Sequence, residues 1–380
     1  MDTVSQTNRV PSLDLARILA MLMMISGHTF FSLVDPNLVN ASAFPWSWWE
    51  FLRGVTAPVF LTVSGIVQVF ANKRDENGNL KPTTIKKRYR MALLLIAIGY
   101  LLMFPADKIY DIPFLEHKYL EGFFAINILQ LFGFSLLIVL LTFIFTKSDK
   151  SLFKVSLSIA ILLTVASPFS QLVNWFNFLP YPVASYFDYR NGSFFGVFPF
   201  TAYLFYGIAF GTILKQISAE NRISYIIKKG FQFAPIFLAI GFILLSFETE
   251  PLIKNIIPYK VSTGFFFFRF SIVALVLAIT GLIAQKAKFL HSQFTFFGQK
   301  ALYVYVLHIA VLYGTAVTPG LNTFFSEQAS IAFAFANIPV VLLSTLLLTY
   351  LLDKLIKSSS RFALVYKYSI TAYLVYLLFI

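Results

Sequence analysis

In these 380 residues hydrophobic side chains make up 58% and charged ones 12%, about half the charged share of a soluble globular chain. That composition excludes a soluble enzyme, a disordered regulator and an outer-membrane barrel, whose strands would alternate polar and apolar residues. The absence of cysteine removes disulfides, thiolate nucleophiles and Cys-ligated metals. The net charge of +13 would point to nucleic acid in a soluble chain; here it resolves into topology, and no nucleic-acid partner is expected.

Apolar runs fall at 11–34, 51–71, 91–105, 123–145, 153–172, 195–214, 231–247, 262–284, 301–318, 330–352 and 362–380. The apolar content fills about eleven spans of ~20 residues. The expected fold is all-α, a polytopic transmembrane helix bundle of about 11 (10–12) spans, forming a single membrane domain over 1–380. Most Lys and Arg residues cluster at 73–90, 147–154, 215–229, 286–300 and 354–361. The positive-inside rule puts those loops, and a cytoplasmic N-terminus, on one face. The other face sees the aromatic-rich loops 35–50, 106–122, 173–194, 248–261 and 319–329, which aromatic belts explain without any function. Asp14 and Arg17 make the first span a poor signal peptide, so it is expected to be retained.

An ionisable side chain inside a span costs about 2.5–3.5 kcal/mol on insertion scales, so each is a candidate site residue. Arg17 and His28 lie eleven residues apart, which sets both on one helical stripe ~16 Å apart, with Met21 and Met24 between them. Arg17 either snorkels to the inner interface beside Asp14 or faces a cavity. His28 is either a packing histidine or a titrating group near the outer end. In the second span Pro58 is expected to free the carbonyl of Gly54, while Gly65 permits close helix approach. Glu50 and Arg53, three apart, form an interfacial ion pair or contact substrate. Asn127 and Gln130 are read as interrupting the fourth span. Arg269 has no in-helix partner and is expected to face the bundle interior. His308 lies mid-span near Tyr303 and Tyr305, and His117 and His291 lie in loops. Four scattered histidines make a metal site unexpected. Gly207 and Gly211 read as ordinary helix packing. No phosphate loop or nucleophile elbow is present.

The segments RVPSLDLARILAMLMMISGH, FLRGVTAPVFLTVSG, FFAINILQLFGFSLL, FPFTAYLFYGIAFG and FFGQKALYVYVLH, in that order, resemble bacterial membrane proteins similar to the catalytic domain of heparan-alpha-glucosaminide N-acetyltransferase. The Arg17–His28 spacing also resembles the first-helix motif of the acyltransferase-3 type. The resemblance implies transfer of an acyl group, usually acetyl, from cytoplasmic acetyl-CoA to a hydroxyl or amine of a glycan or lipid-linked sugar at the opposite face. It also implies a bacterial inner-membrane location. It covers Asp14, Arg17, His28, Pro58, Gly65, Gln130 and His308. In the lysosomal enzyme the proposed catalytic histidine lies just before the second helix, where this chain carries no histidine and Phe44 falls near the position.

Acyl transfer needs a base, a donor site for a polyanionic CoA and stabilisation of an oxyanion. His28 and Asp14 are assigned to catalysis, with His28 as general base and Asp14 orienting Arg17. Arg17, Arg53 and Arg269 are assigned to acetyl-CoA, and Gln130, His308 and Glu50 to the acceptor. No metal is required. A transporter or flippase of a lipid-linked or small polar substrate is the alternative.

Overall fold

The computed structural model describes residues 9–40, 42–104, 109–114, 116–248, 259–315 and 318–358, with short pieces between 364 and 376. Its helices, in chain order, are α1 (Pro11–Leu33), α2 (Trp46–Arg53), α3 (Thr56–Ala71), α4 (Pro82–Leu102), α5 (His117–Phe124), α6 (Ile128–Phe145), α7 (Asp149–Ser170), α8 (Tyr181–Ala184), α9 (Val197–Gln216), α10 (Arg222–Glu248), α11 (Thr263–Lys286), α12 (His291–Gln299), α13 (Ala301–Tyr313), α14 (Leu321–Phe325) and α15 (Ile331–Ser358). The strands among the described residues are the two-residue pair Gly314–Thr315 and Thr318–Pro319.

Among the described residues eight helices are long and apolar enough to cross a membrane, or nine if Lys288–Gln299 and Ala301–Tyr313, bent by 68°, act as one span. The all-α membrane bundle stands, with fewer qualifying spans among the described residues than the eleven expected. The expected third span falls on α4, whose first half carries Lys86, Lys87, Arg88 and Arg90. The apolar remainder, 91–102, is only ~18 Å long, against a hydrocarbon core of about 30 Å. The expected ninth span is the short α13. Most of the run 362–380 lies outside the described residues.

The chain divides into two units. The first comprises the described residues of 1–16, 57–105 and 115–288, and is organised around α9, where fourteen residues are buried. Small residues let backbones meet there. A Cβ on Gly65 would sit 2.0 Å from the Leu204 carbonyl oxygen, and one on Gly207 would sit 2.1 Å from that of Thr62. Helices α3 and α9 are therefore in backbone contact, as the small-residue spacing leads one to expect. Helices α10 and α11 pair along their length, and α7 packs on α9.

Two local readings are corrected. Asn127 and Gln130 do not interrupt a span: Asn127 is the N-cap of α6 and forms a reciprocal capping box with Gln130. Pro58 falls in the first turn of α3, where its missing N–H has no intrahelical partner to lose. Two arginines of the basic segment 73–90 also serve as caps. Arg74 donates to the carbonyls of Phe143 (3.0 Å) and Thr146 at the end of α6, and Arg88 donates to Ala71 O (3.0 Å) at the end of α3.

The second unit comprises the described residues of 17–56, 106–114 and 289–380. Met21, Ile25, Val304, Leu312 and Val341 form one apolar cluster, with Met24 packed against it. A second is built on Phe30, Leu33, Val34, Ala329 and Ala334. Phe30 stacks on Trp46 and Trp49 (centroids 5.3 and 4.9 Å), which fastens α2 to α1. Asp353 near the end of α15 accepts Lys300 (2.5 Å) and Lys357 (2.7 Å).

Candidate active site

Two histidines 280 residues apart in sequence meet inside the second unit. His28 of α1 and His308 of α13 approach with Nδ1···Nε2 at 3.1 Å and ring centroids at 5.3 Å. His308 is fully buried, and its Nδ1 lies 3.2 Å from the carbonyl of Val304, one turn back on the same helix. Tyr305 closes edge-on against the His308 ring at 5.2 Å.

Hydrogen-bond bookkeeping assigns the protons when both rings are neutral. The Val304 carbonyl only accepts, so His308 Nδ1 carries the proton and His308 Nε2 keeps its lone pair. His28 must then donate from Nδ1, which leaves its Nε2 as a basic lone pair. The tautomer of the outer histidine is thus imposed by the inner one, an arrangement suited to a general base held in orientation by a second group.

Arg53 completes the surroundings. Its side chain crosses α1 at Gly27, where a Cβ would lie 2.9 Å from Arg53 Cγ. Its guanidinium sits over the Phe31 ring at 4.2 Å and pairs with Glu50 at 2.5 Å. A glycine next to His28 therefore lets a cation lie alongside the pair. His28, His308, Arg53 and Glu50, four of the candidate residues, belong to one locality.

Of the other four, Arg17 belongs to the same unit and Asp14, Gln130 and Arg269 to the first unit. Arg17 is half-buried in α1, and the stripe between it and His28 is filled by Met21, only 5% exposed, within an apolar cluster. The interval is packed core and not an open track. Asp14 is buried and belongs to the first unit. Gln130, also in the first unit, is fully buried; its Oε1 accepts from Asn127 N at 3.3 Å, and its Nε2 has no partner among the described residues. Arg269 of α11 is 6% exposed and lies over the Tyr259 ring at 5.6 Å. Phe44 is exposed, His291 is the first residue of α12, and the His117 side chain lies outside the described residues.

The sequence reading missed Gly27, Lys260 and Tyr189. A glycine directly before the candidate base was the available signal for the first. Lys260 and Tyr189 sit in loops that resemble ordinary membrane-interface composition. Burial pulls the Lys260 ammonium below its ordinary value and pushes the Tyr189 phenol up. Among the described residues no group of three or more His, Asp or Glu side chains converges as a metal site.

The long apolar helices define an integral membrane protein, and two of its helices bring an imidazole pair together. Residues 9–247 match the family model for heparan-alpha-glucosaminide N-acetyltransferase, catalytic, and the chain belongs to that family. The family brings acyl transfer as the general activity. The matched segment contains Asp14, Arg17, His28, Glu50, Arg53 and Gln130, whereas Arg269 and His308 lie beyond it. No curated protein matches the chain.

Proposed function

We propose that the protein is a transmembrane acyltransferase moving an acyl group, acetyl in the simplest case, from cytoplasmic acyl-CoA to a hydroxyl or amine of a sugar or glycan at the opposite membrane face. The observation that carries this reading is the 3.1 Å His28–His308 contact together with the 3.2 Å His308–Val304 contact, which leave His28 Nε2 as an oriented base. In the transfer, His28 Nε2 takes the proton from the acceptor O–H or N–H. The acceptor atom forms a bond to the thioester carbon, the C–S bond breaks, and the departing CoA thiolate receives the proton from the imidazolium. Arg53, set beside His28 and held by Glu50, is assigned to the carbonyl oxygen on which negative charge develops.

Two places suit the phosphates of the donor. Arg17 is one. The other is a groove of about 390 Å³ on α4, lined by Thr83, Lys86, Lys87, Arg90, Met91 and Leu94. Its three cations and apolar wall match a phosphorylated nucleotide carrying a flat base. Arg74 and Arg88 are committed to helix caps, so Lys86, Lys87 and Arg90 of α4 are the better supported of the basic residues at 73–90.

The test is acetyl-CoA binding to the purified, detergent-solubilised protein, followed by CoA release in the presence of candidate sugar acceptors. Wild type should bind. Arg17→Ala or the Lys86→Gln/Lys87→Gln pair should lose binding, whichever holds the phosphates, and His28→Ala should bind yet release no CoA. A folded wild type that binds no acyl-CoA would overturn the reading in favour of a transporter.

A further inference from the structure

Arg269 stands seven residues beyond Ser262, the N-cap of α11, and is only 6% exposed. Its Nε has no hydrogen-bond partner among the described residues, and its guanidinium lies over the Tyr259 ring at 5.6 Å. Among the described residues, two acids of the same unit are already engaged. Glu248 caps α11, accepting from Thr263 N (3.0 Å), Gly264 N (3.1 Å) and the Ser262 hydroxyl. Asp188, 1% exposed, accepts from Arg190 Nη1 at 2.7 Å and from Arg190 N at 3.0 Å.

The tyrosines are committed as well. Tyr203 donates to Phe266 O at 3.1 Å; Tyr189 donates to Phe198 O at 2.8 Å and accepts from Gly196 N at 2.9 Å. A second cation shares this surrounding. Lys260 Nζ lies over the Tyr189 ring at 5.3 Å and donates to Ser193 O at 3.2 Å, while the charge of Arg269 acts on both Tyr189 and Tyr203. Tyr259, beside Arg269, is exposed and leaves one side open.

Among the described residues the Glu248 and Asp188 carboxylates are engaged elsewhere, so two cations gathered around these aromatic rings call for a further counter-charge, because a buried cation without one is strongly disfavoured. A guanidinium fork matches two oxygens of a tetrahedral oxyanion, and the adjacent ammonium adds a point charge. The pair is thus suited to a dianion.

We propose that Arg269 and Lys260 form a binding site for a phosphate group, a monoester or diphosphate carried by a sugar or by a lipid. The site lies at the start of α11, away from the end bearing Lys286 and the basic 286–300 loop. None of the residues lining the α4 groove assigned to the acyl-CoA donor belongs to it. The aromatic faces of Tyr189 and Tyr259 suit the carbon skeleton of a sugar attached to the phosphate.

The experiment follows thermal unfolding of the intact protein in uncharged detergent while inorganic phosphate replaces chloride at constant ionic strength, with no acyl-CoA present. Wild type should show a saturable rise in Tm. Arg269→Gln and Lys260→Gln should each raise the half-saturating concentration by about tenfold, the scale of one lost charge-assisted contact, and Lys118→Gln should leave it unchanged. If Arg269→Gln does not fold, Arg269→Lys and the loop variant Lys260→Gln carry the test. Competition by glucose 1-phosphate places the phosphate on a soluble sugar, whereas competition only by short-chain phosphatidate in mixed micelles places it on a lipid; either result supports the site. No saturable response in wild type, or one unaltered in both variants, overturns it. So does a loss of acyl-CoA binding in Arg269→Gln, since the phosphate would then be the donor's. Because phosphate binding is read without donor or acceptor, the site and the acyl-transfer reading fail independently.

Discussion

The His28–His308 pair and the Arg269 cluster place polar groups in apolar surroundings by opposite means. At the pair, each ring satisfies part of the other's hydrogen bonding and the Val304 carbonyl absorbs the last inner donor, so two neutral side chains are held without a counter-ion. At Arg269 the charge is permanent, and among the described residues Glu248 and Asp188 are engaged and the Nε donor is left over. A self-satisfied neutral pair is suited to accept and return a proton, since one lone pair remains and little else must move. An uncompensated cation is suited to hold an anion.

The comparison is broken most severely at the base itself. His28→Gln should cut acyl transfer, read as acceptor-dependent CoA release, by on the order of 10²–10⁴-fold while acyl-CoA binding persists; an unchanged rate would remove His28 from the chemistry. His308→Phe should cost less, about 10- to 100-fold, because it orients the base and does not react. A loss as deep as that of His28→Gln would make the two rings equal partners. In the first unit, Gly207→Leu should lower stability by about 1–3 kcal/mol or more by forcing α9 off α3, measured by thermal unfolding. Glu50→Ala, at a half-exposed pair, should change stability by less than about 1 kcal/mol. Any effect it has on turnover then reports the orientation of Arg53.

The helical membrane character and the individual polar residues were legible in the sequence because an ionisable side chain stands out within an apolar run. The partners of those residues were not. Helical periodicity relates Arg17 to His28 within one helix, but 280 residues separate His28 from His308, and no local pattern carries that distance. The same periodicity puts Met21 and Met24 on the stripe between Arg17 and His28, and both pack into an apolar cluster. Asn127 and Gln130 show the converse case: three residues apart ahead of an apolar run, they carry a capping-box signal that was read as an interruption. At α4, hydropathy alone placed the helix start near residue 91, whereas the charged turn from Pro82 belongs to the same helix. The acids that cap α11 and pair with Arg190 gave no sign in the sequence of being unavailable to Arg269.

The most direct test of the oriented base is ¹⁵N NMR of the protein carrying labelled histidine, with resonances assigned through His28→Gln, His117→Gln, His291→Gln and His308→Gln. At a pH where both rings are neutral, His28 and His308 should each carry their proton on Nδ1, with the Nε2 of His28 unprotonated and the His28 tautomer lost in His308→Gln. A proton fixed on His28 Nε2, or a His28 tautomer indifferent to the loss of His308, would contradict it.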